Sequence, residues 1–333
     1  MINVAINGFG RIGRCFFRAF YENKLHEKIN LTCINGTASP EKCAHFAKYD
    51  SVHGIFQNEI IYGDDWIDGG FGKIKITNQL DVNEIKWDGI DVVIESSGKF
   101  NKKSLLMSHI KGGAKKVLVS APCDDADSTI IYGVNDGQFH NNHEIVSIGS
   151  CTTNALLPLI KLLHENFTIK NGFFTTIHSY TNDQMILDAN HKDLRRARAG
   201  ALSMIPTSTG ANKLIASIFP ELNGKISGSA IRVPTPNVSM IDLTINIDKE
   251  IEQQDLNLAL KNGATQYKNI IDYTTLPLVS IDFNHNSHST IIDGLESHVV
   301  DGNLCRIASW YDNEWGFTCR MIDVLMNLLI KSI

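Results

Sequence analysis

The chain has 333 residues, enough for about two domains of ordinary size, and 43% of them are hydrophobic, enough to fill sizeable cores. A net charge of −5 argues against nucleic acid or an anionic membrane as the main partner, and no apolar run reaches the roughly 20 residues that a membrane helix needs. Seven scattered cysteines without C-x-x-C spacing, and no cationic-then-apolar leader, suit the reduced thiols of a cytoplasmic protein better than a disulfide framework or a metal centre, so no metal is expected.

Ile2–Asn7 reads as a short apolar strand. Gly8-Phe9-Gly10-Arg11-Ile12-Gly13 follows, and a helical pattern continues over Ile12–Glu22. This is G-x-G-x-x-G in the strand–turn–helix setting that binds a dinucleotide. Gly8 permits the tight turn, Gly10 lets backbone approach a pyrophosphate, and Gly13 lets helix pack on strand. The helix start, with Arg11 and Ile12 in its first turn, offers free N–H groups and the positive end of the dipole to the phosphates. A second strand, Ile29–Ile34, should end in an acid that binds the adenosine ribose hydroxyls, but Asn35-Gly36-Thr37 carries no carboxylate. NAD is the expected cofactor, and the missing acid at Gly36 leaves NADP as a second candidate.

Helical patterns at Glu41–Ala47 and Ser104–Lys111 alternate with strand-like runs at Val92–Ser96, Lys116–Ser120 and Val146–Ile148. Such alternation predicts an α/β domain over 1–149: a Rossmann-type, doubly wound parallel sheet covered on both faces. Ligands of such sheets sit beyond the C-terminal strand ends. The turns carrying Gly8–Gly13, Ser97 and Gly98, and Ser120 should therefore line one crevice.

Cys151 precedes an amphipathic pattern in Ala155, Leu156, Leu159, Ile160, Leu162 and Leu163, so a helix is expected to begin within or just after Thr152-Thr153-Asn154. A thiol at a helix N-terminus meets unpaired N–H groups and the positive dipole end, both favouring the reactive thiolate. His178 lies near the end of a strand-like run, Thr175–Tyr180. Cysteine and histidine suffice as nucleophile and base if the fold brings them together. The long polar segment from Ser179 to Ala201 ends in an arginine cluster. Strands are expected at Phe173–Ser179, Ile226–Val233, Ser239–Ile247, Leu278–Phe283, Thr290–Asp293 and Leu304–Tyr311, with helices at Ser208–Phe219 and Glu252–Asn262. Consecutive strands predict an α+β catalytic domain over 150–314 with a mostly antiparallel sheet. An apolar final helix, within 315–333, should return to the first domain. Asn313 reads as its N-cap.

Several segments together resemble the phosphorylating glyceraldehyde-3-phosphate dehydrogenase family, along nearly the whole chain. They are Asn7–Arg14, Lys48–Gly54, Ser150–Asn154, His191–Arg198, Ile205–Gly210, Arg232–Val238 and Trp310–Gly316. The resemblance implies oxidation of D-glyceraldehyde 3-phosphate to 1,3-bisphosphoglycerate in glycolysis or gluconeogenesis, through a thiohemiacetal and a thioester on Cys151 with His178 as base. It implies that Thr181 and Arg232 hold the substrate phosphate, and that Ser150, Thr209, Gly210 and one of Arg195 or Arg196 hold inorganic phosphate, with Thr152 beside the nucleophile. Asn313 would fix the nicotinamide carboxamide. The segment after Ser179 would reach a neighbouring subunit in a homotetramer. Asp183, near His178 in the sequence, reads as structural rather than catalytic.

The chain departs from the family at Ala155, where many members carry a second cysteine, at Ser147-Ile148-Gly149, where Ser-Asn-Ala is usual, and at Gly36. Asp272–His285 also resembles erythrose-4-phosphate dehydrogenase, but Thr207-Ser208-Thr209-Gly210 keeps the phosphate-ion segment that a phosphorylating enzyme needs.

Overall fold

Val4, Ala5 and Ile6 of the strand Ile2–Asn7 are wholly buried, as a central parallel strand covered on both faces requires. In the computed structural model, which describes residues 1–333, this strand is the middle of a nine-stranded sheet. The order is Ser128–Thr129, Ile145–Ser147, Lys116–Val119, Val92–Glu95, Ile2–Asn7, Ile29–Asn35, Ile74–Thr77, Trp66–Asp68, Ile61–Tyr62. Pairings are parallel as far as Ile74–Thr77, and the last two strands add antiparallel. The chain's next strand lies on one side of Ile2–Asn7 and Val92–Glu95 on the other, which makes a topological switch point. Helix Lys103–Lys111 packs Leu106 against Val117 and Val119. This sheet belongs to one of two compact units, Met1–Ser150 with Thr318–Ile333; the other is Cys151–Phe317.

The second unit holds a seven-stranded sheet in the order Ile205–Thr207, Ile226–Val233, Ile169–Ser179, Ser239–Ile247, Leu304–Tyr311, Thr290–Val300, Ile271–Thr274. Four of its six pairings are antiparallel. In Ser239–Ile247 every second residue is buried, the period-two pattern of a strand with one face in the core. The helix Cys151–Phe167 is buried along most of its length.

One expected element is different. Leu278–Phe283 is not a strand; Ser280–Phe283 forms a 3-10 turn. Asp282 accepts from the Val279 N–H at 2.8 Å, and buried Phe283 stacks on Trp310 with ring centroids 5.5 Å apart. Apolar residues recur there without a ladder because Pro277 lacks a donor and Asp282 competes for the local backbone. The edge strand is instead Ile271–Thr274. The short strands between Ile61 and Thr77 were not expected; their two to four residues are too few to show a clear period.

Two arginines of the helix Arg11–Glu22 tie down the segment Lys48–Gly54. Buried Arg18 donates to the carbonyls of Ala47, Lys48, His53 and Gly54. Arg11 forms a forked pair with Asp50 at 2.5 and 3.0 Å. Burial alone would raise the Asp50 carboxyl, but the Arg11 fork and the N–H groups of His53 and Val52 hold it well below the ordinary carboxylate range. A depressed carboxylate contributes stability above its unfolded pKa, near 4, and loses it as the pH falls further. Asp50→Asn should therefore destabilise the protein by about 2 kcal/mol at pH 7. The gap in melting temperature from the parent should narrow as the pH drops from 7 to 3. A gap independent of pH would contradict this.

Candidate active site

The first unit brings together the turns expected at its crevice. Gly8 has φ +98°, and a Cβ there would lie 2.4 Å from the Ser97 Cα. A Cβ on Gly13 would lie 2.2 Å from the Gly8 carbonyl oxygen. Only glycine permits both approaches. Ser96 Oγ donates to the Gly8 carbonyl at 2.8 Å, so the first turn and the Ser97–Gly98 turn are in direct contact. Ser120 Oγ donates to the Glu95 carbonyl at 2.9 Å, which places the third turn beside them. A Cβ on Gly10, the residue before the helix, would meet nothing within 4 Å. Gly8, Gly10, Ile12, Ser97, Gly98 and Ser120 thus surround the switch point, and an open helix N-terminus there fits the pyrophosphate of a dinucleotide. The Arg11 guanidinium pairs with Asp50.

Asn35 ends the second strand as a structural amide. It donates to Asn7 Oδ1 and the Gln79 carbonyl, and accepts from Thr77 Oγ1 and the Gln79 N–H, all at 2.8–2.9 Å. Gly36 follows with a backbone outside the left-handed region, and a Cβ would come no closer than 3.6 Å to Phe9. The missing acid therefore has no steric cause.

In the second unit the helix begins at Cys151 itself. Cys151 Sγ lies 3.3 Å from His178 Nε2. His178 stands beside Arg232 because the parallel strands Ile169–Ser179 and Ile226–Val233 place the two in register. His178 Nδ1 has the Ser179 carbonyl at 2.7 Å and Arg232 Nη1 at 2.8 Å, one acceptor and one donor. Both tautomers are consequently served. With Nδ1–H on Ser179, Nε2 presents a lone pair to the thiol; with Nδ1 accepting from Arg232, Nε2–H points at the sulfur. Asp183 does not orient the imidazole, since its carboxylate pairs with Arg196 and lies 3.3 Å from His191 Nε2.

Burial pushes the Cys151 thiol up, against the pull of Arg232 and of the Thr152 N–H and hydroxyl. Burial, then Arg232, pushes His178 down to about 3. The helix N-terminus thus acts with the expected sign, but burial is larger, and the resting pair holds one proton on sulfur beside a neutral imidazole. Because they share that proton, the two titrate as a pair.

Two buried donors of this unit have no protein partner: Arg232 Nε, on the arginine that contacts His178, and Gln184 Nε2. Gln184 Oε1 accepts from the N–H and hydroxyl of Thr181. Gln184 and Thr181 thus form one group with a spare donor, and Arg232 supplies another beside His178, as an anion site needs. Thr209 Oγ1 and Gly210 stand at the start of the helix Ala211–Ile218. The two neighbouring arginines differ: Arg196 is committed to Asp183 and to Thr207 Oγ1 at 2.9 Å, whereas Arg195 is exposed. The Thr152 hydroxyl bonds the Tyr311 hydroxyl at 3.1 Å, and Ser150 immediately precedes Cys151.

Asn313 is not the helix cap. Asp312 accepts from the N–H groups of Glu314 and Trp315 at 2.9 and 2.8 Å and so caps the helix Trp315–Val324. Asn313 Oδ1 instead accepts from the hydroxyls of Ser179 and Ser239 at 2.9 and 2.8 Å. With Oδ1 turned to these two hydroxyls, Nδ2 is the end it can present to a ligand. Tyr311, Gln184 and Ser239 escaped the sequence reading. Tyr311 joins Thr152 to Thr176, at 2.7 Å, and sets its ring edge-on to His178. The signal for Tyr311 was its place at the end of a strand directly before Asp312-Asn313; Gln184 and Ser239 carried none.

Two family models match the chain: the NAD binding domain of glyceraldehyde 3-phosphate dehydrogenase over residues 2–103, and its C-terminal domain over residues 150–313. Similar proteins include glyceraldehyde-3-phosphate dehydrogenase of Cereibacter sphaeroides, 49% identical over 97% of each chain. Glyceraldehyde-3-phosphate dehydrogenase 2 of Bacillus subtilis (strain 168) is 45% identical over 99% of this chain and 97% of its own. Glyceraldehyde-3-phosphate dehydrogenase 1 of Bacillus cereus is 46% identical over the full length of both. With a Cys–His pair in contact, a spare arginine donor beside it and a dinucleotide crevice in the other unit, these matches agree with the chemistry: the chain belongs to the glyceraldehyde 3-phosphate dehydrogenase family.

Proposed function

We propose that the chain oxidises D-glyceraldehyde 3-phosphate to 1,3-bisphosphoglycerate with NAD and inorganic phosphate, using Cys151 as nucleophile and His178 as base. The single observation that carries this reading is the 3.3 Å approach of Cys151 Sγ to His178 Nε2 beside the partnerless Nε of Arg232. Arg232, with Thr181, takes the substrate phosphate and so fixes the aldehyde carbon at the sulfur. As the S–C bond forms, Nε2 accepts the thiol proton. The carbonyl oxygen becomes an oxyanion, for which the Cys151 N–H and the His178 Nε2–H are the available donors.

NAD would be held by the first unit's turns and would supply a hydride acceptor; in the second unit Asn313 Nδ2 is the donor proposed for a nicotinamide carboxamide. The chain's part in that step is for His178 Nε2 to pass its proton to the oxyanion, giving the thiohemiacetal hydroxyl, and to take it back as the hydride leaves, so that a thioester remains on Cys151. Inorganic phosphate, held by Thr209, Gly210, Ser150 and Arg195, then attacks the thioester. Arg195 is favoured over Arg196 because Asp183 and Thr207 already occupy the Arg196 donors. The C–S bond breaks, the acyl phosphate leaves, and sulfur recovers a proton from His178. Thr152 supports the nucleophile through its N–H more than the phosphate through its hydroxyl, which Tyr311 holds. The units Met1–Ser150 with Thr318–Ile333 and Cys151–Phe317 serve, on this reading, as cofactor-binding and catalytic domains.

A second cofactor reading has its own support. No carboxylate follows Asn35, so nothing at Gly36 repels a 2′-phosphate and NADP is accepted beside NAD. A homotetramer and a cytoplasmic location complete the proposal. The segment after Ser179 exposes Ile186 (88%), Leu187, Leu194 (83%), Leu202 and Met204, a concentration of apolar side chains that a neighbouring subunit would cover. All seven cysteines are free thiols, as a reducing compartment would keep them.

The direct test is cofactor reduction with glyceraldehyde 3-phosphate, with and without inorganic phosphate, using NAD and NADP separately. Reduction that depends on phosphate is expected; none with either cofactor, in folded protein, would overturn the reading. Cys151→Ser should abolish oxidation while NAD still binds, and His178→Asn should cut turnover by roughly 10²–10⁴; near-normal rates in either would contradict the assigned roles. Gly36→Asp, for which there is room, should raise the preference for NAD over NADP in kcat/KM. An unaltered ratio would remove Gly36 from cofactor choice.

A further inference from the structure

Side chains join the C-terminal ends of four neighbouring strands. Thr77 Oγ1 donates to Asn35 Oδ1 (2.9 Å), Asn35 Nδ2 to Asn7 Oδ1 (2.8 Å), and Asn7 Nδ2 to Glu95 Oε2 (2.6 Å). His109 Nε2, from the helix Lys103–Lys111, reaches the same carboxylate oxygen at 3.1 Å. Trp87 Nε1 donates to His109 Nδ1 at 2.9 Å. An indole N–H can only donate, so Nδ1 accepts and Nε2 carries the hydrogen: His109 is a neutral donor to Glu95. The other carboxylate oxygen, Oε1, accepts from the N–H and hydroxyl of Ser97 at 2.8 and 2.5 Å. All four partners donate, which fits an acceptor-only carboxylate. Glu95 is 2% exposed, and these partners include no arginine or lysine.

Placing an anion among neutral donors inside a sheet is costly compared with an apolar side chain, which is what Val92, Val93 and Ile94 supply just before it in the same strand. A carboxylate does one thing here that a valine cannot. Asn7 and Glu95 are register partners at the ends of the two strands that flank the switch point, and each leads directly into a crevice turn, Gly8 after Asn7 and Ser97–Gly98 after Glu95. One carboxylate therefore grips both turns, at the place where Gly8 leaves no room for a Cβ against Ser97.

We propose that Glu95 is a positioning residue for the dinucleotide: oriented by Asn7 and His109, its carboxylate sets the spacing of the Gly8 and Ser97–Gly98 turns on which cofactor binding depends. This rests on the reading that the crevice takes NAD. Glu95→Gln puts an NH2 group against a donor whichever way the amide turns. Titration with NAD, followed by protein fluorescence, should show a Kd raised about tenfold or more. KM for NAD should rise with it, while kcat at saturating NAD stays within about threefold and the rate of Cys151 alkylation by iodoacetamide is unchanged. Ser97→Ala should weaken binding alone but add little to Glu95→Gln, because both break the same contacts. Parent-like NAD affinity in Glu95→Gln, a lowered melting temperature as its only defect, or fully additive losses in the double variant would overturn the proposal. Should Glu95→Gln fail to fold, His109→Gln keeps an acceptor for Trp87 and a donor for Glu95, whereas His109→Leu keeps neither. Weaker NAD binding in the leucine variant alone supports the proposal, and equal binding in both overturns it. A parent protein that binds no NAD would instead sink the proposed function.

Discussion

The contact on which the second unit's chemistry depends is the approach of Cys151 Sγ to His178 Nε2 at 3.3 Å. It is made by two separate pieces of regular structure. The helix Cys151–Phe167 fixes the sulfur at its first residue, and the strand Ile169–Ser179 fixes the imidazole next to its last. Neither is a mobile loop, so the pair is held with little freedom to lose on reaction. The parallel pairing of Ile169–Ser179 with Ile226–Val233 also determines the electrostatics, since it puts the Arg232 charge against the far side of the ring. The approach of ring and guanidinium is thus a consequence of one strand register. A shift of one residue between these strands would put the ring and the guanidinium on opposite faces of the sheet.

The same economy appears around the ring. Ser179 follows His178 and serves twice: its carbonyl meets Nδ1, and its hydroxyl holds Asn313 Oδ1. Tyr311 and Asp312, at the end of the strand Leu304–Tyr311, brace the helix of Cys151 through Thr152 and start the final helix through Glu314 and Trp315. In the first unit the corresponding organiser is the glycine-tight contact between the Gly8 and Ser97 turns. Both units place their functional groups at strand ends and then fix them with buried polar bonds from neighbouring strands.

The sequence showed most of this architecture, and where it failed there are physical reasons. Ile2–Asn7, its glycine turn and the following helix were legible because apolar run, turn and amphipathic period agree over consecutive residues. Cys151 was legible as a helix start, but that burial would outweigh the dipole at its thiol was not, since burial depends on distant segments. His178 could be named as one histidine among twelve; its contact with sulfur could not. Leu278–Phe283 misled because its apolar content is spent on a 3-10 turn and a ring stack on Trp310 rather than on a ladder. The cap expected at Asn313 falls to Asp312: either can cap a helix, and only the positions of Ser179 and Ser239 decide which does. The polar chain from Thr77 to Trp87 was invisible, for its bonded members lie up to 88 residues apart, as Asn7 and Glu95 do, and none belongs to a local pattern.

The central claim is that Cys151 forms a covalent acyl intermediate whose release needs phosphate. The most direct measurement is the intact mass of the protein after mixing with glyceraldehyde 3-phosphate and NAD in phosphate-free buffer, followed by addition of inorganic phosphate. The account predicts a 3-phosphoglyceroyl adduct on Cys151, one equivalent of reduced cofactor per site, and loss of the adduct with renewed turnover when phosphate arrives. Steady turnover without phosphate, or cofactor reduction with no adduct on Cys151, would contradict it.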